Sequence, residues 1–267
     1  MIRKPAVAGS FYSSDADQLK SDIEGFTVKD CPKQVVLGIV SPHAGYLYSG
    51  RVAGNLYSRI IIPDTVVILA PNHTGNGAPY SIWPSGSWNT PLGDVQVNEE
   101  IVDEIVLACD LIEKDSEAHI YEHAAETQIP FVQYFNPHVS VVIMVISPGG
   151  MRDIKNIGKC LSSVLLRSCP NALVIASTDM THYESQISVN RKDKIAINEI
   201  LALNENSLYN KAYSMRITMC GIYPTIAMLT CSKERGAKGA ELVRYETSGV
   251  VTGDYERVVG YAGIMIC

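Results

Sequence analysis

Three of the six histidines stand just beyond short apolar, β-branched runs. His43 follows Val35 to Val40 in the stretch Ser41-Pro-His43-Ala-Gly45-Tyr46. His73 follows Thr65 to Ala70 in Pro71-Asn72-His73. His182 follows Ala172 to Ser177 in Thr178-Asp179-Met-Thr-His182-Tyr183. Imidazoles delivered from separate strand ends offer nitrogen donors to a metal ion or form an acid–base cluster. A single histidine of this kind reads as a hydrogen-bonded loop residue; three at equivalent positions argue for a shared site.

Two residues compete for the third ligand place. Asp179 and His182 share one turn and face the same side if that turn is helical. Cys220, in Thr218-Met219-Cys220-Gly221, precedes a helical pattern running to about Thr230. A helix N-terminus favours the thiolate that a metal requires, although a packed, inert thiol fits the same position. A second signal is His119-Ile-Tyr-Glu122-His123, the His-x-x-Glu-His string of some zinc peptidases. It is short, and the helical pattern begins only near His123, which leaves His119 outside. The milder reading places Glu122, His123 and Glu126 beside the pocket, where they orient ligands. No G-x-S-x-G elbow, Walker loop or G-x-G-x-x-G is present, which disfavours serine hydrolases, P-loop NTPases and Rossmann dehydrogenases. Trp83, Trp88, Tyr12, Tyr46 and Tyr48 are candidates for an aromatic wall, with ordinary packing the weightier reading.

These residues need a scaffold whose strand ends converge. The runs Val35 to Val40, Thr65 to Ala70, Val139 to Ile146 and Ala172 to Ser177 do not alternate with polar residues, so they read as strands buried on both faces, as in a parallel sheet. Helical patterns lie between them: Gly50 to Ile60, Asn98 to Ala108 with Asn98 as N-cap, His123 to Phe135 with Pro130 as a kink or early stop, and Arg152 to Arg167. The Pro-, Gly- and Trp-rich stretch from Ala78 to Val97 reads as a β-loop excursion. The chain after Tyr183 is helical to about Thr230, and Glu241 to Thr247 and Val258 to Ile266 read as closing strands, the first edge-like. The expectation is a single α/β domain over residues 1–267, with a central, mostly parallel sheet flanked by helices. Ligands of such sheets bind at the carboxyl ends of the strands, where the three histidines lie.

Composition narrows the function classes. Hydrophobic residues make up 46% and charged residues 19% of 267, enough for a sizeable core. A net charge of −6 without a basic run argues against nucleic acid or an anionic membrane as partner. No apolar run approaches the roughly 20 residues of a membrane span. The opening MIRKPAVAGSFY lacks a secretory apolar stretch, so the cytoplasm is the expected compartment. The seven cysteines are odd in number and none form a C-x-x-C pair, which rules against a disulfide framework or a local zinc ribbon.

Several longer motifs resemble one family. These are RKPAVAGSFY from Arg3 to Tyr12, SPHAGYLYSG from Ser41 to Gly50, APNH from Ala70 to His73 and NTPLGDV from Asn89 to Val95. EHAAETQIPF from Glu122 to Phe131, STDMTHY from Ser177 to Tyr183 and TMCG from Thr218 to Gly221 continue the series. In this order, and over nearly the whole chain, they resemble the Memo family. Memo proteins are similar in fold to the LigB-type class III extradiol dioxygenases, which use non-haem Fe(II). The resemblance implies metal ligands at His43, His73 and Cys220, with iron as first choice and copper or zinc as alternatives. It implies His182 as acid–base residue, assisted by Asp179, with His123, Glu126 and Tyr46 around the pocket; His119 lies outside the family pattern. The dioxygenases use two histidines and a carboxylate, whereas a thiolate at Cys220 is softer and itself oxidisable. Ring-opening activity is therefore not carried over, and redox or oxygen chemistry on a small substrate is the expectation. The alternative is a non-catalytic pocket for a small-molecule or peptide ligand with no required metal. Relatives in bacteria and archaea imply a functional link to radical-SAM and AMMECR-type proteins.

Overall fold

The computed structural model describes all residues 1–267. Twelve strands follow one another along the chain. The first six are β1 (Ile2–Arg3), β2 (Gly38–Ser41), β3 (Thr65–Pro71), β4 (Tyr80–Ile82), β5 (Ser87–Thr90) and β6 (Gly93–Val97). The others are β7 (Glu113–Lys114), β8 (Ser140–Ile146), β9 (Leu173–Ser177), β10 (His182–Glu184), β11 (Ala240–Thr247) and β12 (Val258–Ile266). They form one sheet in the order β1-β5-β6-β8-β3-β9-β2-β12-β10, with β11 on β12, β4 on β8 and β7 on β4.

The centre of this sheet is parallel. β3 lies between β8 and β9, and β2 lies beside β9, all in one direction. All residues of β2, β3 and β9 are buried, which explains why their sequences carry no alternation. Helices cover the sheet. Met151–Ser168 packs against Ile222–Glu234, and Tyr46–Ser58 packs against β12. A single connected cluster of 67 buried hydrophobic residues runs from Tyr12 to Ile266, so one core serves the whole chain. No helix is long and apolar enough to cross a membrane.

The sequence-based boundaries hold in most places, and Asn98 caps its helix as expected, its side chain accepting from Ile101 N at 3.3 Å. Three differences affect the site. The strand expected from Val35, β2, begins only at Gly38, because Val35 is 65% exposed and the chain there makes only an isolated bridge from Gln34 to Ile60. The expected helix from His123 to Phe135 is two short helices, His123–Glu126 and Ile129–Phe135. Pro130 sits in the first turn of the second, where its missing N–H costs nothing. The turn carrying Asp179 and His182 is not helical: the chain leaves β9 at Ser177 and re-enters the sheet as β10 at His182.

Candidate metal centre

The carboxyl ends of β2, β3 and β9 open on one rim, and the His123 helix crosses above it. His43 and His73 lie two residues beyond β2 and β3, respectively, and Glu122 caps the His123 helix by accepting from Ala124 N at 2.8 Å. Their rings meet: His43 is 5.2 Å from His73 and 5.4 Å from His123 between centroids, and His73 stacks on His123 at 4.7 Å. The ligand nitrogens of these three lie within 4.8 Å of one another. His43 is buried, while the His73 and His123 side chains keep 33% and 24% exposure, so the cluster has a closed floor and an open face.

Hydrogen bonds fix which nitrogen of each ring faces inward. The Ser177 hydroxyl donates its one proton to Ala124 O at 2.7 Å and accepts from Gln128 Nε2 at 3.0 Å. Toward His43 Nδ1, 2.9 Å away, it can therefore only accept, so Nδ1 carries the proton and Nε2 is bare. His73 Nδ1 donates to Glu122 Oε1 at 2.9 Å, which leaves its Nε2 bare in the same way. Outer-nitrogen bonds to a hydroxyl and a carboxylate are how proteins orient metal-binding imidazoles.

The electrostatics agree with this division for His43. Burial, then the neighbouring His123 and His73, holds His43 well below the usual histidine range, so it is neutral at pH 7. Burial likewise lowers His123. For His73, burial acts downward but the Glu122 hydrogen bond outweighs it and raises the value. Glu122 is lowered, since its bonds to His73 and to the Ala124 and His73 amides outweigh its burial.

Cys220 reaches the cluster through His43, its Sγ 3.2 Å from Nε2, and also accepts from Asp179 N at 3.2 Å. Burial and the nearby Asp179 push its thiol up to about 12. Its turn lies flat against the end of β9 because the next residue is Gly221; a Cβ there would overlap Ser177 O and Thr178. Of the expected set, His43 and His73 meet in one cluster whose third member is His123, while Cys220 stands beside it in contact with His43. The short helix aims His123 inward from its first position.

The remaining expectations divide. Asp179 lines the cavity, but its Oδ1 accepts from His43 N at 2.8 Å and Ala44 N at 3.3 Å, so it holds the His43 loop rather than His182. Burial raises this carboxyl to about 6. His182 is oriented by Thr218: its N–H donates to Oγ1 at 2.8 Å and its Nδ1 to the carbonyl at 2.9 Å. Glu126 and Tyr46 do not touch the imidazoles. Glu126 ion-pairs with the buried Arg3 and accepts from Tyr12 Oη at 2.6 Å, and Tyr46 donates to Thr127 O at 2.7 Å. His119 is buried against Trp83 and Trp88, with Nε2 on Ser81 Oγ at 2.9 Å, so the His-x-x-Glu-His string forms no shared site. Of the five aromatic candidates only Tyr48 lines the cavity. Phe11 and Tyr183, which lie in the family motifs but are not among those candidates, and Tyr261, which lies in no motif, supply the rest of its aromatic wall. The cavity above the cluster has a volume of about 810 Å³.

The profile of Memo-like proteins matches residues 3–265. This chain belongs to the Memo family. A MEMO1 family protein of Methanothermobacter thermautotrophicus is 38% identical, over 98% of this chain and 99% of its own length. MEMO1 family proteins of Aquifex aeolicus and Pyrobaculum aerophilum are each 39% identical, over 99% of this chain and 98% of theirs. The histidine-bearing rim of this Memo protein lies inside the matched region.

Proposed function

We propose that this Memo protein binds a divalent transition metal through His43 and His73, with His123 as the further donor in the cluster and Cys220 beside His43. The reading extends to redox or oxygen chemistry on a small substrate. The observation that carries it is the bare Nε2 of His43 and of His73 in one cluster, each ring held from behind through Nδ1. Two to three imidazoles with one thiol suit iron, copper and zinc, with iron first on the family resemblance. When bound, the metal supplies an acidic, exchangeable coordination position at the cavity floor.

The chain's own residues supply the rest. His182 donates Nδ1–H to Thr218 O, so its neutral ring keeps Nε2 for a substrate proton and can return that proton later. Asp179 holds the His43 loop through two amides, which keeps the ring on its floor position. Phe11, Tyr48 and Tyr261 give an apolar wall for a substrate body. Metal analysis of anaerobically purified protein tests the proposal. Wild-type protein is expected to carry metal that His43→Ala and His73→Ala lose; full metal content in both variants overturns it.

A second reading, a ligand-binding module without turnover, draws on the thiol that stands where the dioxygenases have a carboxylate and on a cavity roomier than a single ring needs. Oxygen uptake with phenol and thiol substrates after iron or copper loading separates the two. Turnover that depends on His182 excludes a pure binder.

A further inference from the structure

The cavity lining is chemically lopsided. Its floor is made of nitrogen and sulfur donors. Its only lysine or arginine is Arg257, delivered by the connection between β11 and β12 together with the hydroxyls of Ser248 and Thr252. Arg257 is exposed, and its guanidinium is paired with no carboxylate; its neighbour is the Tyr183 ring, with Cζ 5.9 Å from the centroid. Tyr183 in turn lies 5.7 Å from the His182 ring, so a single tyrosine ring stands between the guanidinium and the candidate acid–base residue. The chain holds Tyr183 there in a left-handed backbone conformation, φ +57°, which an aromatic residue rarely adopts without need. A free guanidinium, the Ser248 hydroxyl, which only accepts within the chain, and aromatic faces on one cavity make a receptor for an oxyanion on an apolar body.

We propose that Arg257 recognises a carboxylate of the substrate, which places the substrate among aromatic carboxylic acids whose other end lies over the histidine cluster. The placement of that other end rests on the metal reading above; the carboxylate recognition does not. A monoanion fits better than a phosphate. One guanidinium offers a planar fork to one carboxylate, no second lysine or arginine lines the cavity, and the chain carries a net charge of −6.

Calorimetric titration of the full chain with phenylacetate, phenylacetamide and phenyl phosphate tests this, on chelator-treated and on zinc-loaded protein. Phenylacetate is expected to bind about ten-fold tighter than its neutral amide in both forms, the scale of one charged, partly exposed hydrogen-bonded pair. Arg257→Gln is expected to bring that ratio to near one without changing amide binding or melting temperature, since the side chain makes no hydrogen bond or ion pair and only a distant approach to the Tyr183 ring. Arg257→Lys keeps part of the ratio, and Arg152→Gln, on another face, keeps all of it. A ratio that survives Arg257→Gln, falls equally in Arg152→Gln, or is never seen in wild-type protein overturns the proposal. So does tighter binding of phenyl phosphate than of phenylacetate, or a ratio that vanishes on metal removal. Failure of zinc uptake with the acid preference intact would sink the metal reading and leave this one standing.

Discussion

Glu122 grips His73 at two points: Oε2 accepts the backbone N–H at 2.6 Å and Oε1 accepts Nδ1–H at 2.9 Å. The same carboxylate caps the His123 helix and lies 3.6 Å from His123 Nδ1. One buried side chain therefore sets the position of two of the three clustered imidazoles. Glu122→Gln keeps the size and part of the hydrogen bonding but loses the charge. Metal affinity is expected to fall about 10- to 100-fold, the usual effect of removing a ligand's orienting partner. Competition with a chromophoric chelator measures it, and unchanged affinity would mean that the grip is only structural.

Ser177 plays the corresponding part for His43. Ser177→Ala removes the acceptor for Nδ1–H and leaves Gln128 Nε2 and Ala124 O without their shared hydroxyl. The expected cost is about 1–3 kcal/mol of stability, the penalty for unsatisfied buried polar groups. Urea unfolding of metal-free protein reads this directly. The same variant is expected to bind metal more weakly, because the His43 tautomer is no longer fixed.

The N-terminal segment is tied to the site through Arg3. Its guanidinium pairs with Glu126, donates to Glu122 O at 2.8 Å and stacks 4.3 Å from the Trp88 centroid, all in the interior. Arg3→Met strands a buried carboxylate and is expected to cost about 3–5 kcal/mol, more than the double variant with Glu126→Gln. Thermal unfolding of the two variants orders them. Equal losses would show that the pair itself contributes little.

Acid stability has a separate source. Glu205 is 4% exposed; burial acts to raise its pKa, but the hydrogen bond from Lys233 at 2.7 Å and the pair with Lys155 at 3.0 Å bring it below the ordinary value of 4.5. A carboxyl with a lowered folded value contributes stability above its unfolded value, and that contribution fades as pH falls through the folded one. Lys233→Met is therefore expected to lower the melting temperature at neutral pH and to make little difference once the pH has fallen below the folded value of Glu205. A loss equal at both pH values contradicts the assignment.

Much of this was legible in the chain. Four unbroken apolar runs announced the buried parallel strands, and the positions of His43, His73 and His182 after three of them announced the rim. His123 in the cluster was harder to read, because Pro130 seven residues on reads as a kink in one long helix rather than as the first turn of a second one. The role of Asp179 was also hidden. Its partners are backbone amides 135 and 136 residues away, a contact that carries no residue-type signal. Arg257 lies in no motif and becomes visible only when β12 brings it to the cavity.

The central claim is that imidazoles from two strand ends hold a metal with their bare Nε2 atoms. X-ray absorption spectroscopy of the iron- or zinc-loaded protein tests it most directly. The account predicts imidazole multiple scattering from at least two rings, reduced by one in His73→Ala. A spectrum fitted by oxygen donors alone, the same in wild type and variant, would contradict it.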